Sequence, residues 1–346
     1  MTKARIPIIV LVAAVAFGQQ TSAQSLTFSL LTRYYDSLRE QAGIPSLSGI
    51  VLQNGSVVWR YSSGKQDIEA NIPSTTTTPY YITGLSQVLS STLLLRRCVE
   101  QSYLEVIDPV VRWDPEFDEP TTTVKDLLTH TAPDGGYRFD LTRFAELSPV
   151  INQCTSAAYA RALGTTVLLQ NGMMDSVPYA ALATPTASDQ RLFDASTLQR
   201  YASVVRSVAP AYRVANGRAT KSDFSGTSLD RAIGVISTVE DLAKFDIELG
   251  RGFLKPETLQ AAWARSGTTP LGLGWFVQDY KNEPVVWQFG LAKDAYSGLI
   301  LKLPNRELTL ILLANSDGLS APFALEKGDV TTSLFAQTFL RLITGS

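Results

Sequence analysis

Tyr80-Tyr81-Ile82-Thr83-Gly84-Leu85-Ser86-Gln87-Val88-Leu89-Ser90-Ser91 leads into a long apolar run of this 346-residue chain. From Leu85 to Val99 the apolar residues recur at helical spacing and run nearly all round, which predicts a helix buried in the middle of a domain. The flanks say what surrounds it. Upstream, Leu30-Leu31-Thr32-Arg33-Tyr34-Tyr35-Asp36-Ser37-Leu38 has helical spacing and ends at Gly43-Ile44-Pro45. Ser48 to Leu52 and Val57 to Tyr61, joined at Asn54-Gly55, read as a β-hairpin.

Downstream, to about Lys221, the segments are mostly helical and broken by Pro and Gly. A second β-rich region follows: Leu271 to Gln278, Pro284 to Gly290, Ser297 to Lys302 and Leu308 to Leu313, with a turn at Pro304-Asn305-Arg306-Glu307. A final amphipathic helix covers about Val330 to Ile343. Strands at both ends with helices between them predict an α+β fold. Its antiparallel sheet is formed by the N- and C-terminal segments and flanked by helices, and a mostly helical lobe is inserted. The expected division is one domain over 24–346, with the sheet part at about 24–80 and 230–346 and the lobe at about 81–229.

At 45% hydrophobic content the chain can bury a large core. Its formal net charge of -2, with Lys and Arg scattered, lacks the footprint of a nucleic-acid binder. Met1-Thr2-Lys3-Ala4-Arg5, an apolar run from Ile6 to Phe17, and small residues up to Ala23 describe a secretory signal peptide over 1–23, cut after Ala23. No later segment reaches membrane-spanning length. One histidine and no clustered ligands argue against a metal, and no cofactor is expected. A small-molecule or peptide ligand is the default partner, and the oligomeric state is not legible.

Four further segments, taken in order, carry a resemblance. Thr123-Val124-Lys125-Asp126-Leu127-Leu128-Thr129-His130-Thr131-Ala132 is similar to a Leu-Leu-Thr-His-Thr-Ser-Gly motif. The run from Gly234 to Phe245 resembles a Gly-x-x-Ser-Thr-x-x-Asp-Leu helix start. Trp287-Gln288-Phe289-Gly290 stands in the place of a His-x-Gly or Lys-Thr-Gly strand, and Leu312-Leu313-Ala314-Asn315-Ser316 resembles the strand end that follows. With the Tyr80 stretch, this set resembles the penicillin-recognising serine hydrolases: class C β-lactamases, D-alanyl-D-alanine peptidases and related esterases.

The resemblance implies a nucleophilic serine at Gly84 and a proton-accepting lysine at Gln87, one helical turn later on the same face. Glycine has no side chain, and a glutamine amide is no such base. The family's Tyr-x-Asn element falls, by its register, on Cys154-Thr155-Ser156 with Tyr159 behind it, so Cys154 takes the tyrosine position and Ser156 the asparagine position. Gln288 replaces the histidine or lysine of the third element and brings no charge. Main-chain NH groups of Gly84 and Leu291 are the implied oxyanion hole, so Gly84, Gln288, Gly290 and Leu291 are the candidate ligand-binding residues.

The expected function is therefore that of a β-lactamase-related homologue lacking the family's hydrolytic activity and holding a small carboxylate or peptide outside the cytoplasm. Losing the nucleophile alone removes on the order of 10⁶ in turnover from a comparable acyl-transfer enzyme. An active esterase, peptidase, β-lactamase or acyl transferase would need a non-standard nucleophile such as Ser86 or Thr83. Ser86 is read as a satisfied helix serine turned away from Gly84, and Thr83 as an N-cap hydroxyl. Other biosynthetic chemistry in the pocket, and a structural or regulatory module, are the remaining alternatives. If the site is otherwise intact, Gly84→Ser with Gln87→Lys should restore esterase activity. Ser62-Ser63-Gly64-Lys65 fits Ser-x-x-Lys but sits at the end of the hairpin, where no helix face joins the two side chains. Cys98 lies fourteen residues past Gly84, about 21 Å along the helix, whereas Cys154 is expected near the cleft, so the two cysteines are read as unbridged small hydrophobes.

Overall fold

The computed structural model describes residues 26–226 and 232–345, so the signal-peptide reading of residues 1–23 lies outside the described residues. A helix over 26–41 leads into strands β1 (Ser46–Gln53), β2 (Ser56–Asp67) and β3 (Ile72–Pro73). Short β4 (Tyr80–Tyr81), β5 (Tyr212–Ala215), β6 (Arg218–Lys221) and β7 (Ile236–Ser237) lie among the helices of the middle. The chain returns to the sheet with β8 (Phe276–Tyr280), β9 (Glu283–Ala292), β10 (Tyr296–Leu303) and β11 (Leu308–Ala314), then ends in helix Leu334–Thr344.

Seven strands form one antiparallel sheet in the order β3-β2-β1-β11-β10-β9-β8. Both faces are covered, which explains why β11 reads as an unbroken apolar run. Leu308, Leu310, Leu312 and Ala314 pack on one side with Leu31 and Tyr35 of the first helix and Phe335 and Phe339 of the last. Ile311 and Leu313 pack on the other side with Leu85, Val88 and Leu89 of the central helix. This is the period of two expected of a strand.

The Asn54-Gly55 hairpin is present, with positive φ at both turn residues (50° and 66°), as a tight primed turn demands. The strand expected from Leu271 instead begins at Phe276. Gly272 is the cause: a Cβ there would stand 2.1 Å from the Ala262 carbonyl oxygen, so the backbone is folded close against helix Pro256–Ala262 before the strand starts. The final helix begins at Leu334, where the Ser333 hydroxyl caps the Ala336 amide. Ser62 to Lys65 lie within β2, outside any helix. Among the described residues no helix is long and apolar enough to cross a membrane.

Candidate functional site

The central helix is continuous from Thr83 to Val99. A 3₁₀ turn (Thr83–Leu85) opens it, an α-helical body (Ser86–Leu94) follows, and a wider π turn (Leu95–Val99) closes it. Pairing of β4 with β7, and of the Ile82 amide with the Val235 carbonyl (3.0 Å), holds its first residue beside the Gly234 segment. In that segment Thr238 caps helix Val239–Gly250, and buried Asp241 accepts hydrogen bonds from Ser176 and Lys244, so its role here is architectural.

The first turn is pressed against β9. A Cβ placed on Gly84 would lie 2.8 Å from the Phe289 carbonyl oxygen and 3.6 Å from the Gly290 Cα. A Cβ on Gly290 would lie 2.3 Å from the Ile82 carbonyl oxygen and 2.8 Å from the Thr83 hydroxyl. Side-chain carbons do not tolerate such approaches to backbone without movement of one element. The two glycines let helix and strand close on each other, and the space that a serine side chain would need at Gly84 is occupied.

Gln87 is fully buried, and its Oε1 lies 2.8 Å from His130 Nε2. The other ring nitrogen, Nδ1, accepts the Asp140 amide at 3.0 Å, so the neutral ring carries its proton on Nε2 and donates it to Gln87. Burial holds His130 down at about 4, although nearby Asp140 pulls the other way. His130 sits at φ 51° with its ring against Phe139 and Phe144, and so ties the central helix to the loop before helix Leu141–Ala145. The partner of His130 was not legible, because nothing in the local sequence links Gln87 to a residue 43 positions away.

Several expectations need correction. Thr83 is not an N-cap: Ile82 occupies that position without a side-chain bond, and Thr83 itself has φ 48°. Ser86 is fully buried, but its hydroxyl is not satisfied. The Thr83 and Ser86 hydroxyls and the Gln87 amide nitrogen all lack a hydrogen-bond partner among the described residues. Among the described residues neither hydroxyl is hydrogen-bonded to a base that would make it a nucleophile.

Cys98 and Cys154 form a disulfide with a Cα separation of 5.7 Å. Cys154 therefore lies at the far end of the central helix and not beside Gly84. The reason is an apolar stripe on helix Leu147–Thr155, in which Leu147, Val150, Ile151 and Cys154 are buried at helical spacing. Ser156 ends that helix in the left-handed region at φ 50° and is exposed, two residues past Cys154 at the far end of the central helix. Tyr159 reaches the central helix itself: its hydroxyl lies 2.6 Å from the Ser90 hydroxyl, with both residues buried.

Three of the four candidate ligand-binding residues are buried. Gly84 and Gly290 are buried against each other's elements, and the Gly290 carbonyl accepts the Ser320 hydroxyl at 2.9 Å. Gln288 is fully buried, donating to the Gly274 carbonyl (3.1 Å) and accepting from the Phe289 amide (2.9 Å). Only Leu291 is partly exposed. Among the described residues no group of three or more His, Cys, Asp or Glu side chains is placed to hold a metal ion.

Comparison with known proteins agrees with this architecture. The family model described as Beta-lactamase matches residues 31–330. "Penicillin-binding protein 4*" of Bacillus subtilis (strain 168) is 21% identical over 319 residues, covering 78% of this chain and 68% of that protein. Among solved structures, the octameric penicillin-binding protein homologue from Pyrococcus abyssi superposes with a TM-score of 0.72 at 20% identity, covering 92% of this chain and 77% of that one. A class C β-lactamase from Rhodobacter sphaeroides gives 0.66 at 18% identity, covering 91% and 98%. D-amino acid amidase from Ochrobactrum anthropi SV3 gives 0.68 at 17% identity, covering 91% and 97%. The structural likenesses establish the fold, and the family match spans most of the sequence, so this chain belongs to the β-lactamase family of serine hydrolases.

Proposed function

We propose that this chain is a β-lactamase-family protein that no longer performs acyl transfer and that works, outside the cytoplasm, by binding. One observation carries the proposal: the nucleophile position is a glycine whose missing side chain has been replaced by the Phe289 carbonyl, 2.8 Å from where its Cβ would stand. A recent loss of serine from an otherwise intact site would leave a gap there. Two further features support the same reading. Gln87 is committed to His130, and Cys154 is committed to a disulfide. The export part rests on the basic, apolar and small-residue pattern of residues 1–23.

The test is intact-mass analysis of the mature protein after incubation with a fluorophosphonate and, separately, with a penicillin. The proposal expects the unmodified mass in both cases. A single stoichiometric adduct, mapped to its residue, would overturn it and identify a working nucleophile.

A further inference from the structure

The helical lobe carries a basic groove far from Gly84. Two cavities of about 470 and 520 Å³, each within the size range of small-molecule sites, share Arg161, Thr165 and Leu192 in their walls and so adjoin along one groove. Four arginines line it: Arg97, Arg161, Arg191 and Arg200. Asp194 is the one carboxylate in either lining. It is occupied as a helix cap, accepting from Ser196 and from the amide and hydroxyl of Thr197. Four guanidinium groups against one committed carboxylate make a strongly positive surface on a chain whose formal net charge is -2.

These guanidinium groups are not used by the fold as ion pairs. None of the four has a carboxylate partner within ion-pair distance among the described residues, where ten other pairs are formed. Arg97 makes a long bond of 3.4 Å to the Thr166 hydroxyl, while its Nε, shut off from solvent, has no partner. Arg200 lies over the Tyr201 ring at 4.6 Å. Tyr201 and Phe193 close over Gly164, where a Cβ would stand 2.9 Å from the Tyr201 hydroxyl, and this contact builds the floor of one cavity. The Cys98–Cys154 disulfide braces the other cavity, joining the turn that bears Arg97 to the helix end that bears Thr155 and Ser156.

We infer that this groove binds a small polyanion presenting two or more oxyanion groups, phosphate or carboxylate. The planar guanidinium fork matches either group bidentately, and Arg is favoured over Lys where such recognition matters. Ser156 adds a hydroxyl on the same wall, whereas the hydroxyls of Thr155, Thr165 and Thr197 already donate within the chain. The inference is independent of whether the family site is silent.

The experiment is isothermal titration of the full chain with tripolyphosphate and with citrate at matched ionic strength. The expected result is saturable binding that weakens at least tenfold in Arg161→Ala/Arg191→Ala. Both of those residues are exposed and unpaired among the described residues, so the variant should keep the wild-type melting temperature. Arg213→Ala/Arg218→Ala, which removes the same charge from the exposed β5–β6 hairpin, should bind as wild type does. Binding of tripolyphosphate alone would assign the groove to phosphoryl groups, and binding of both would assign it to paired oxyanions in general. No saturable binding of either probe, or equal loss in the two double variants, would overturn the inference.

Discussion

The two ends of the central helix have been treated in opposite ways. At its first turn, glycine meets glycine: Gly84 and Gly290 let the helix and β9 approach so closely that a Cβ on either would press on the backbone of the other element. At its last turn the chain has added a covalent bond, Cys98 to Cys154, and left an open polar surface beside it. The family's chemistry requires an open cleft at the first end and nothing in particular at the second. A scaffold can thus keep its sheet, its buried helix and its capping motifs while the location of its accessible polar groups changes. Fold and site are separable for this reason: one rests on burial of apolar faces, the other on a few side chains and the space around them.

The largest expected effect lies at the stapled end. The disulfide spans 56 residues of sequence, and a loop of that length should contribute about 4 kcal/mol by restricting the unfolded chain. Cys98→Ala/Cys154→Ala should lower the urea midpoint accordingly. A change below about 1 kcal/mol would mean that packing of helix Leu147–Thr155 alone holds that end.

Next comes acid. His130 has an ordinary value of 6.5 and is held at about 4 by burial in the fold. Between those values the unfolded chain binds more protons, so stability should fall as pH drops from 6.5 to 4, by on the order of 3 kcal/mol. Urea titrations at pH 7, 5 and 4 should show a steeper fall for the wild type than for His130→Gln. Identical slopes would remove His130 from the account of the closed end.

A smaller effect is expected from one methyl group at the closed turn. Gly84→Ala should destabilise by about 2 kcal/mol, because the Phe289 carbonyl stands where the Cβ must go. Thermal melts would check it. A neutral or stabilising outcome would mean that the helix and β9 part easily, and the contrast between the two ends would weaken.

Much of the fold was legible because it follows from periodicity and turn chemistry. The all-round apolar helix, the Asn54-Gly55 hairpin and the strands β9 to β11 were all readable from local pattern. The start of β8 was not, since the close approach at Gly272 depends on a helix elsewhere in the chain. The site was legible at the level of residue identity: Gly84, Gln87 and Gln288 lack the family's reactive groups. Its geometry was not. The alignment put Cys154 beside Gly84, but the stripe Leu147, Val150, Ile151 and Cys154 on one helix face was the better signal, because a buried face fixes what a cysteine touches. Closure of β9 onto the helix left no trace in sequence beyond two glycines, each of which has many other uses.

The most direct test of the central claim is to rebuild the missing chemistry in the Gly84→Ser/Gln87→Lys double variant and weigh it after exposure to a fluorophosphonate and a penicillin. The expected result is a destabilised protein with no adduct. The serine carbon would meet the Phe289 carbonyl, and the lysine would replace the amide oxygen that His130 now donates to. A stable, singly labelled double variant would contradict it, showing that the family cleft is still open and waits only for its nucleophile.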